Sequence, residues 1–281
     1  MATLSRIVVL GSSLALLAVS QAACTAEQAD TETVAEGTEP IVGGTISAEG
    51  AWPGAVAVYK GSLACGGTLV APQWVLTAAH CVTTSSPTGG FTKVVIGRNK
   101  LSGTGGESKT PDKAFRHAQY NASSHDNDIA LIHLSTPSAL PTVKLVLADQ
   151  ISSFEGQTST IVGWGTTSAG GSISDSLREV QVPVISNTKC KTFSGYSRVP
   201  DNQLCAVAPG GGLDSCQGDS GGPLFLKFGN EFRQVGLVSW GIGCAGANAP
   251  GVYTRVGNYL AWLKGQSNGE IVVDGTSTAT P

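Results

Sequence analysis

Asp214-Ser-Cys-Gln-Gly-Asp-Ser-Gly-Gly-Pro223 is the stretch on which the reading of this 281-residue chain turns. It sets Ser220 between Asp219 and two glycines, with a second acid, Asp214, six residues upstream. A serine hydroxyl is a weak nucleophile and needs an adjacent base. The stretch therefore requires a histidine, an acid to orient it, and donors for an oxyanion. It also leaves Asp214 and Asp219 in need of roles of their own.

The surrounding chain suits an all-β domain. Charged residues are 13% of it, hydrophobic residues 41%, and glycines number 37. That balance fits a loop-rich globular protein and excludes a disordered one. Short apolar or alternating runs flanked by turn residues predict strands at 55–59, 65–70, 74–77, 93–96, 129–134, 158–163, 180–185, 222–228, 234–239 and 251–255. Only 256–264 has helical character. Many short strands with little helix predict β-barrels or a sandwich.

The ends read differently. Arg6 precedes an apolar run, Ile7 to Val19, which is too short to span a bilayer comfortably and is followed by small residues. Residues 1–22 are thus expected to be a signal peptide. Residues 23–40 carry Glu27, Asp30, Glu32, Glu36 and Glu39 with no Lys or Arg, and are expected to be an acidic pro-segment. The protein domain is expected over 41–264 and a polar tail over 265–281. The whole chain has 17 basic and 20 acidic residues; removing 1–40 takes one Arg and five acids, leaving a net charge of +1. No basic run points to nucleic acid, and no further apolar run is long enough for a membrane span.

Six cysteines follow residue 40: Cys65, Cys81, Cys190, Cys205, Cys216 and Cys244. An even set suits a secreted disulfide framework. Spacing alone allows 15 connectivities, of which sequential pairing is the simplest. Each bridge would close a loop of roughly 15–30 residues, worth about 3 kcal/mol in a chain-entropy model. No CxxC pair exists and no histidine cluster joins the cysteines, so a zinc site is not expected. Cys24 is left over in the pro-segment.

Of four histidines, His133 lies in an apolar strand and reads as structural or surface, and His117 and His125 lie in polar loops and read as solvated. His80 follows Thr77-Ala-Ala at a strand end and is anchored by Cys81. Asp128 precedes the run Ile-Ala-Leu-Ile. An acid there is commonly a turn acceptor; the alternative is an orienter of a histidine's second nitrogen. The order His80, Asp128, Ser220 is one of the known triad orders.

Ile41-Val-Gly-Gly44, Thr77-Ala-Ala-His-Cys81, Asp128-Ile-Ala-Leu131, Gly163-Trp-Gly165, Gly218-Asp-Ser-Gly-Gly-Pro223 and Ser239-Trp-Gly241 occur in order from residue 41 to about 264. This set resembles the chymotrypsin-like (trypsin family) serine proteases, most closely those of microbial type. The resemblance implies two packed six-stranded antiparallel β-barrels with a C-terminal helix and a cleft between them. It implies a secreted serine endopeptidase, made as a zymogen, that cleaves after Arg or Lys through an acyl-enzyme. Ser220 would be the nucleophile, His80 the base, Asp128 its orienter, and the N–H groups of Gly218 and Ser220 the oxyanion hole. Asp219 would pair with the α-amine of Ile41 once 1–40 is removed. Asp214, Ser215, Ser239, Gly241 and Gly251 would bind the substrate side chain. Protein substrates and protein protease inhibitors are the implied partners; a monomer without cofactor or metal is expected.

The chain departs from the family pattern at three places. Pro40, rather than Lys or Arg, precedes Ile41, so a different processing protease or stepwise trimming is expected. Arg98 stands where a calcium ligand is common, leaving Glu107, so no strong calcium site is expected at 97–108. Three bridges are fewer than vertebrate digestive trypsins carry. Asn121-Ala-Ser123 is a glycosylation sequon. Two rivals remain. A silent homologue acting as a binding protein would be expected to lose a triad residue. A lipase or esterase would show G-x-S-x-G and the order Ser, acid, His.

Overall fold

The computed structural model describes residues 43–148, 154–168 and 170–273. The signal peptide, the pro-segment with Cys24, Ile41 and residues 274–281 lie outside the described residues.

A two-residue strand, β1 (Thr45–Ile46), precedes the first sheet. That sheet comprises β2 (Ala55–Lys60), β3 (Ser62–Ala71), β4 (Trp74–Thr77), β5 (Lys93–Ile96), β6 (Glu107–Lys109), β7 (Pro111–Arg116) and β8 (Ala130–Leu134). Their order is β6-β5-β2-β3-β4-β8-β7. β6 and β7 are at opposite edges, yet only Thr110 separates them in the chain. The chain itself therefore joins the two edges and curls the sheet. The sixth strand of this barrel is the broken run 107–116. Pro111, with no N–H to donate, sits at the break.

The second sheet comprises β9 (Thr158–Gly163), β10 (Arg178–Ile185), β11 (Gln203–Ala206), β12 (Pro223–Phe228), β13 (Glu231–Trp240) and β14 (Gly251–Arg255). It closes fully, because β9 pairs with both β12 and β10; β1 is appended to β10. A four-residue helix α1 (Asn187–Cys190) is capped by the Ser186 side chain. Near the C-terminus a 3-10 turn, Val256–Tyr259, leads into helix α2 (Leu260–Gln266). The all-β two-barrel architecture with a short terminal helix is as expected.

Single strands show how two barrels form from near-continuous apolar runs. On β2, Val56 and Val58 enter one core while Ala55 and Ala57 join a separate cluster with Val162, Trp164 and Phe225. On β5, Val94 and Ile96 likewise face the first core and Val95 the second cluster. Successive side chains point to opposite faces, so one face fills the barrel and the other packs against its neighbour. Burying each such Val or Ile contributes about 1.5–3 kcal/mol. The barrels are further tied by a buried hydrogen bond from Thr68 Oγ1 to Gln234 Oε1 (2.6 Å).

All three bridges are sequential: Cys65–Cys81, Cys190–Cys205 and Cys216–Cys244. Within the segment expected as a polar tail from 265, the chain folds back after α2. Ile271 and Val273 are buried in the main core, and the Ser267 hydroxyl accepts the Ile271 N–H at 3.1 Å. Two apolar residues in a polar segment suffice to fold it back. In the loop after β5, the Arg98 guanidinium donates to the carbonyls of Gly105 (2.6 Å) and Leu101 (3.4 Å), and Glu107 accepts from the Ala139 N–H and pairs with Lys109.

Candidate active site

The pairing of β4 with β8 places Thr77 opposite Ala130. In an antiparallel pair, residues just after one strand meet residues just before the other. His80, in the 3-10 turn Ala79–Cys81 beyond β4, thus meets Asp128, two residues before Ala130. The Cys65–Cys81 bridge fastens that turn to β3.

Asp128 is fully buried, and its carboxylate makes three hydrogen bonds. Its Oδ1 accepts the His80 N–H (2.9 Å), and its Oδ2 lies 2.7 Å from His80 Nδ1. The same Oδ2 accepts the Ser239 hydroxyl at 2.5 Å. Thr254 Oγ1 donates to the Asp128 backbone carbonyl (2.8 Å). A buried carboxylate needs such partners. A carboxylate at Nδ1 favours the tautomer that carries hydrogen there, leaving Nε2 as the nitrogen with a lone pair. Ser239 and Thr254 belong to the second barrel, so both barrels hold this acid. Ser239 was expected at the substrate. It lines the pocket, and its hydroxyl donates to Asp128.

Ser220 reaches the site from the second barrel. Its carbonyl accepts the Gly66 N–H of β3 (2.8 Å). A Cβ on Gly66 would lie 3.0 Å from the Gly222 Cα, so the absence of side chains at both lets the barrels meet beside Ser220. Asp219, Gly221 and Gly222 donate their N–H groups to Cys216, Val238 and Asp219 carbonyls, respectively. The N–H groups of Gly218 and Ser220 have no acceptor among the described residues. These are the two donors expected of an oxyanion hole. Gly218 has φ +96°, a conformation open to glycine. The Ser220 hydroxyl likewise forms no hydrogen bond among the described residues; catalytic contacts of this kind commonly tighten only with substrate.

Asp214 lies beneath Ser220 in a cavity of about 140 Å³, also lined by Ser215, Gly241 and Gly251. Its Oδ1 accepts the Ser215 N–H (2.8 Å), and its Oδ2 the Ala245 N–H (3.2 Å). Burial pushes its pKa up to about 6, against the lowering effect of these bonds. A Cβ at Gly251 would lie 2.8 Å from Asp214 Oδ1, whereas one at Gly241 would meet nothing closer than 3.7 Å. Packing explains glycine at 251; at 241 glycine leaves open space in the pocket. A larger cavity, about 260 Å³, lies beside Trp52, Phe225 and Phe232. Its charged lining residues, Lys144 and Glu231, pair with each other.

Since Asp214 is charged only above its raised pKa, a cationic arylamidine filling this pocket should bind best above pH 6. Below it, binding must expel a proton, and affinity should fall by up to about tenfold per pH unit. Calorimetric titration from pH 8 to 4.5 checks this; a flat profile contradicts the assignment.

Asp219 is fully buried, and burial raises its pKa to about 6. Its carboxylate accepts the Gly165 N–H (2.8 Å) and the Cys216 N–H (3.0 Å). A Cβ on Gly163 or Gly165 would overlap that carboxylate. This gives the Gly163-Trp-Gly165 motif a physical purpose: both glycines vacate space for Asp219. Gly165→Ala should therefore destabilise the fold by about 1–3 kcal/mol and lower activity with it, measured by thermal unfolding and turnover.

His133 pairs with Asp112 (2.7 Å) and packs edge-on to Trp74, in keeping with a structural role. The other two histidines are less solvated than their loops suggested. His117 packs on Tyr259 and Trp262. His125 adopts φ +53°, its ring centroid 6.2 Å from His80 and 6.1 Å from Trp240. Burial lowers its pKa. Its position three residues before Asp128 was the only available clue.

The two-barrel all-β fold and the Asp128-held His80 fit the chymotrypsin-like class of serine endopeptidases. The family model described as Trypsin matches residues 41–263. "Trypsin I-P1" of Gallus gallus is 41% identical over 217 residues, covering 75% of this chain and 83% of that protein. "Trypsin" of Saccharopolyspora erythraea is 38% identical over 214 residues, covering 76% and 91%, and "Trypsin" of Squalus acanthias 39% over 215, covering 75% and 89%. The chain belongs to the trypsin family and is a serine endopeptidase.

Proposed function

We propose that this endopeptidase cleaves after Arg or Lys, with His80, Asp128 and Ser220 as its triad. The observation that carries the reading is the pattern around Ser220: the Gly218 and Ser220 N–H groups have no acceptor among the described residues, and Asp128 holds His80, whose neighbour Cys81 lies 3.8 Å (Sγ) from the Ser220 carbonyl. Ser220 Oγ attacks the scissile carbonyl as His80 Nε2 takes its proton. The Gly218 and Ser220 N–H groups receive the oxyanion. His80 then protonates the leaving amine, and water repeats the sequence on the acyl-enzyme. Asp214 supports Arg or Lys specificity, because a buried acid with a raised pKa favours a cationic partner.

The zymogen reading rests on Asp219. Its buried carboxylate has two N–H donors but no cation among the described residues. The freed α-amine of Ile41 is the proposed counterion, supplied by a processing enzyme that accepts Pro40. Secretion is proposed from the apolar N-terminus and fits the three disulfides. No helix among the described residues is long and apolar enough to cross a membrane. Proteins and peptides are the proposed substrates, and protein protease inhibitors the proposed ligands, of a monomer.

N-terminal sequencing of the secreted protein, combined with peptide-library profiling, tests both parts. An Ile41 terminus and cleavage confined to Arg and Lys are expected. Activity with 1–40 still attached, or cleavage without basic preference, would overturn the corresponding part.

A further inference from the structure

The Gln217–Gly218 peptide supplies one of the two proposed oxyanion donors. In a planar trans peptide the C=O and the N–H point in opposite directions. Whatever fixes the Gln217 carbonyl therefore aims the Gly218 N–H. That carbonyl accepts the Thr166 N–H at 2.6 Å. The Thr166 hydroxyl also donates to Gln217 Oε1 (2.9 Å), and the Gly170 N–H reaches the same oxygen (3.4 Å).

A second contact comes from the same loop. A Cβ on Gly218 would lie 2.6 Å from Ile173 Cδ1, so this side chain rests directly on the glycine. Ile173 is 40% exposed, and core burial does not account for its position. Thr166 and Ile173 are bridge partners, and the Ser174 N–H donates to the Trp164 carbonyl (3.0 Å), so the loop folds back on itself. Glycine permits wide backbone rotation. Gly218 without these contacts has little to prevent its peptide from flipping and withdrawing the donor.

We propose that Thr166 and Ile173, paired across their loop, form a clamp on the Gln217–Gly218 peptide and act as positioning residues for the oxyanion hole. The proposal rests on the reading of the Gly218 N–H as an oxyanion donor. The clamp acts on developing negative charge, not on the Asp214 pocket, and so affects turnover rather than cation binding.

The test uses the mature enzyme with Ile173→Ala, Ile173→Leu and Thr166→Ala. Its readouts are kcat and KM on an Arg-amide, affinity for a peptidyl-arginine aldehyde, affinity for benzamidine, and Tm. The aldehyde forms a tetrahedral adduct whose oxyanion occupies the hole; benzamidine fills only the cation pocket. Losing an oxyanion donor outright lowers kcat by about 10²–10³-fold. A loosened clamp should cost about tenfold in Ile173→Ala, with KM and benzamidine affinity unchanged and aldehyde affinity reduced by a similar factor. Ile173→Leu should restore most of the loss, and Thr166→Ala should show a smaller fall of the same kind. Unchanged kcat and aldehyde affinity in both alanine variants would overturn the clamp, as would parallel losses of aldehyde and benzamidine affinity. Should the unmodified enzyme bind the aldehyde no more tightly than the matching alcohol, the oxyanion reading itself would fail.

Discussion

Ser220→Ala is expected to lower turnover of an Arg-amide substrate by about 10⁶-fold, the scale found when a triad nucleophile is removed. The loss follows from the division of labour in the cleft. His80 and Asp128 remain hydrogen-bonded at 2.7 Å, but the base then has no hydroxyl to activate. The Asp214 pocket is untouched, so benzamidine affinity should be preserved. That contrast separates lost chemistry from lost folding. Residual turnover within a hundredfold of the unmodified enzyme would remove Ser220 from the mechanism.

The second large effect is expected at Asp214. Its carboxylate is 5% exposed and carries a pKa pushed up to about 6 by burial. In the proposed complex the substrate cation and the pocket acid satisfy one another, and removing one partner of a buried pair costs about 3–5 kcal/mol. Asp214→Ser should therefore reduce kcat/KM for an Arg-amide by about 10³-fold. Cleavage after neutral residues should change little, because the triad is elsewhere. Retained Arg and Lys selectivity in a peptide library would refute the assignment.

The strands most legible in the sequence were those buried on both faces. β2 and β5 are apolar at every position but one because one face fills a barrel and the other meets its neighbour. β6 and β7 gave no such signal: Glu107-Ser-Lys109 and Pro111-Asp-Lys113 are largely polar and lie at the sheet edges. β11 has only four residues, Gln203-Leu-Cys-Ala206, of which the first is polar. Ile271 and Val273 were lost in a segment read as tail by its composition.

The residues proposed as catalytic were named from motifs, but the meeting of His80 and Asp128 was not legible locally. His80 and Asp128 come together only because β4 pairs with β8, an association between runs more than fifty residues apart. Ser239, expected at the substrate, lines the pocket, and the bond of its hydroxyl to Asp128 had no local signal in the sequence. Gly163 and Gly165 carried a resemblance without a reason until the Asp219 carboxylate was found in the space they leave. The clamp on Gly218 had no sequence signal, since its central bond is between backbone groups.

The central claim is that Ser220 is the nucleophile activated by His80. Its most direct test is to label the active enzyme with a phosphonofluoridate and locate the adduct by mass spectrometry. One adduct per molecule is expected, on Ser220, with turnover lost in proportion to labelling and with little labelling in His80→Ala. An enzyme that hydrolyses the Arg-amide while the label attaches to another residue, or while Ser220 reacts equally well without His80, would contradict it.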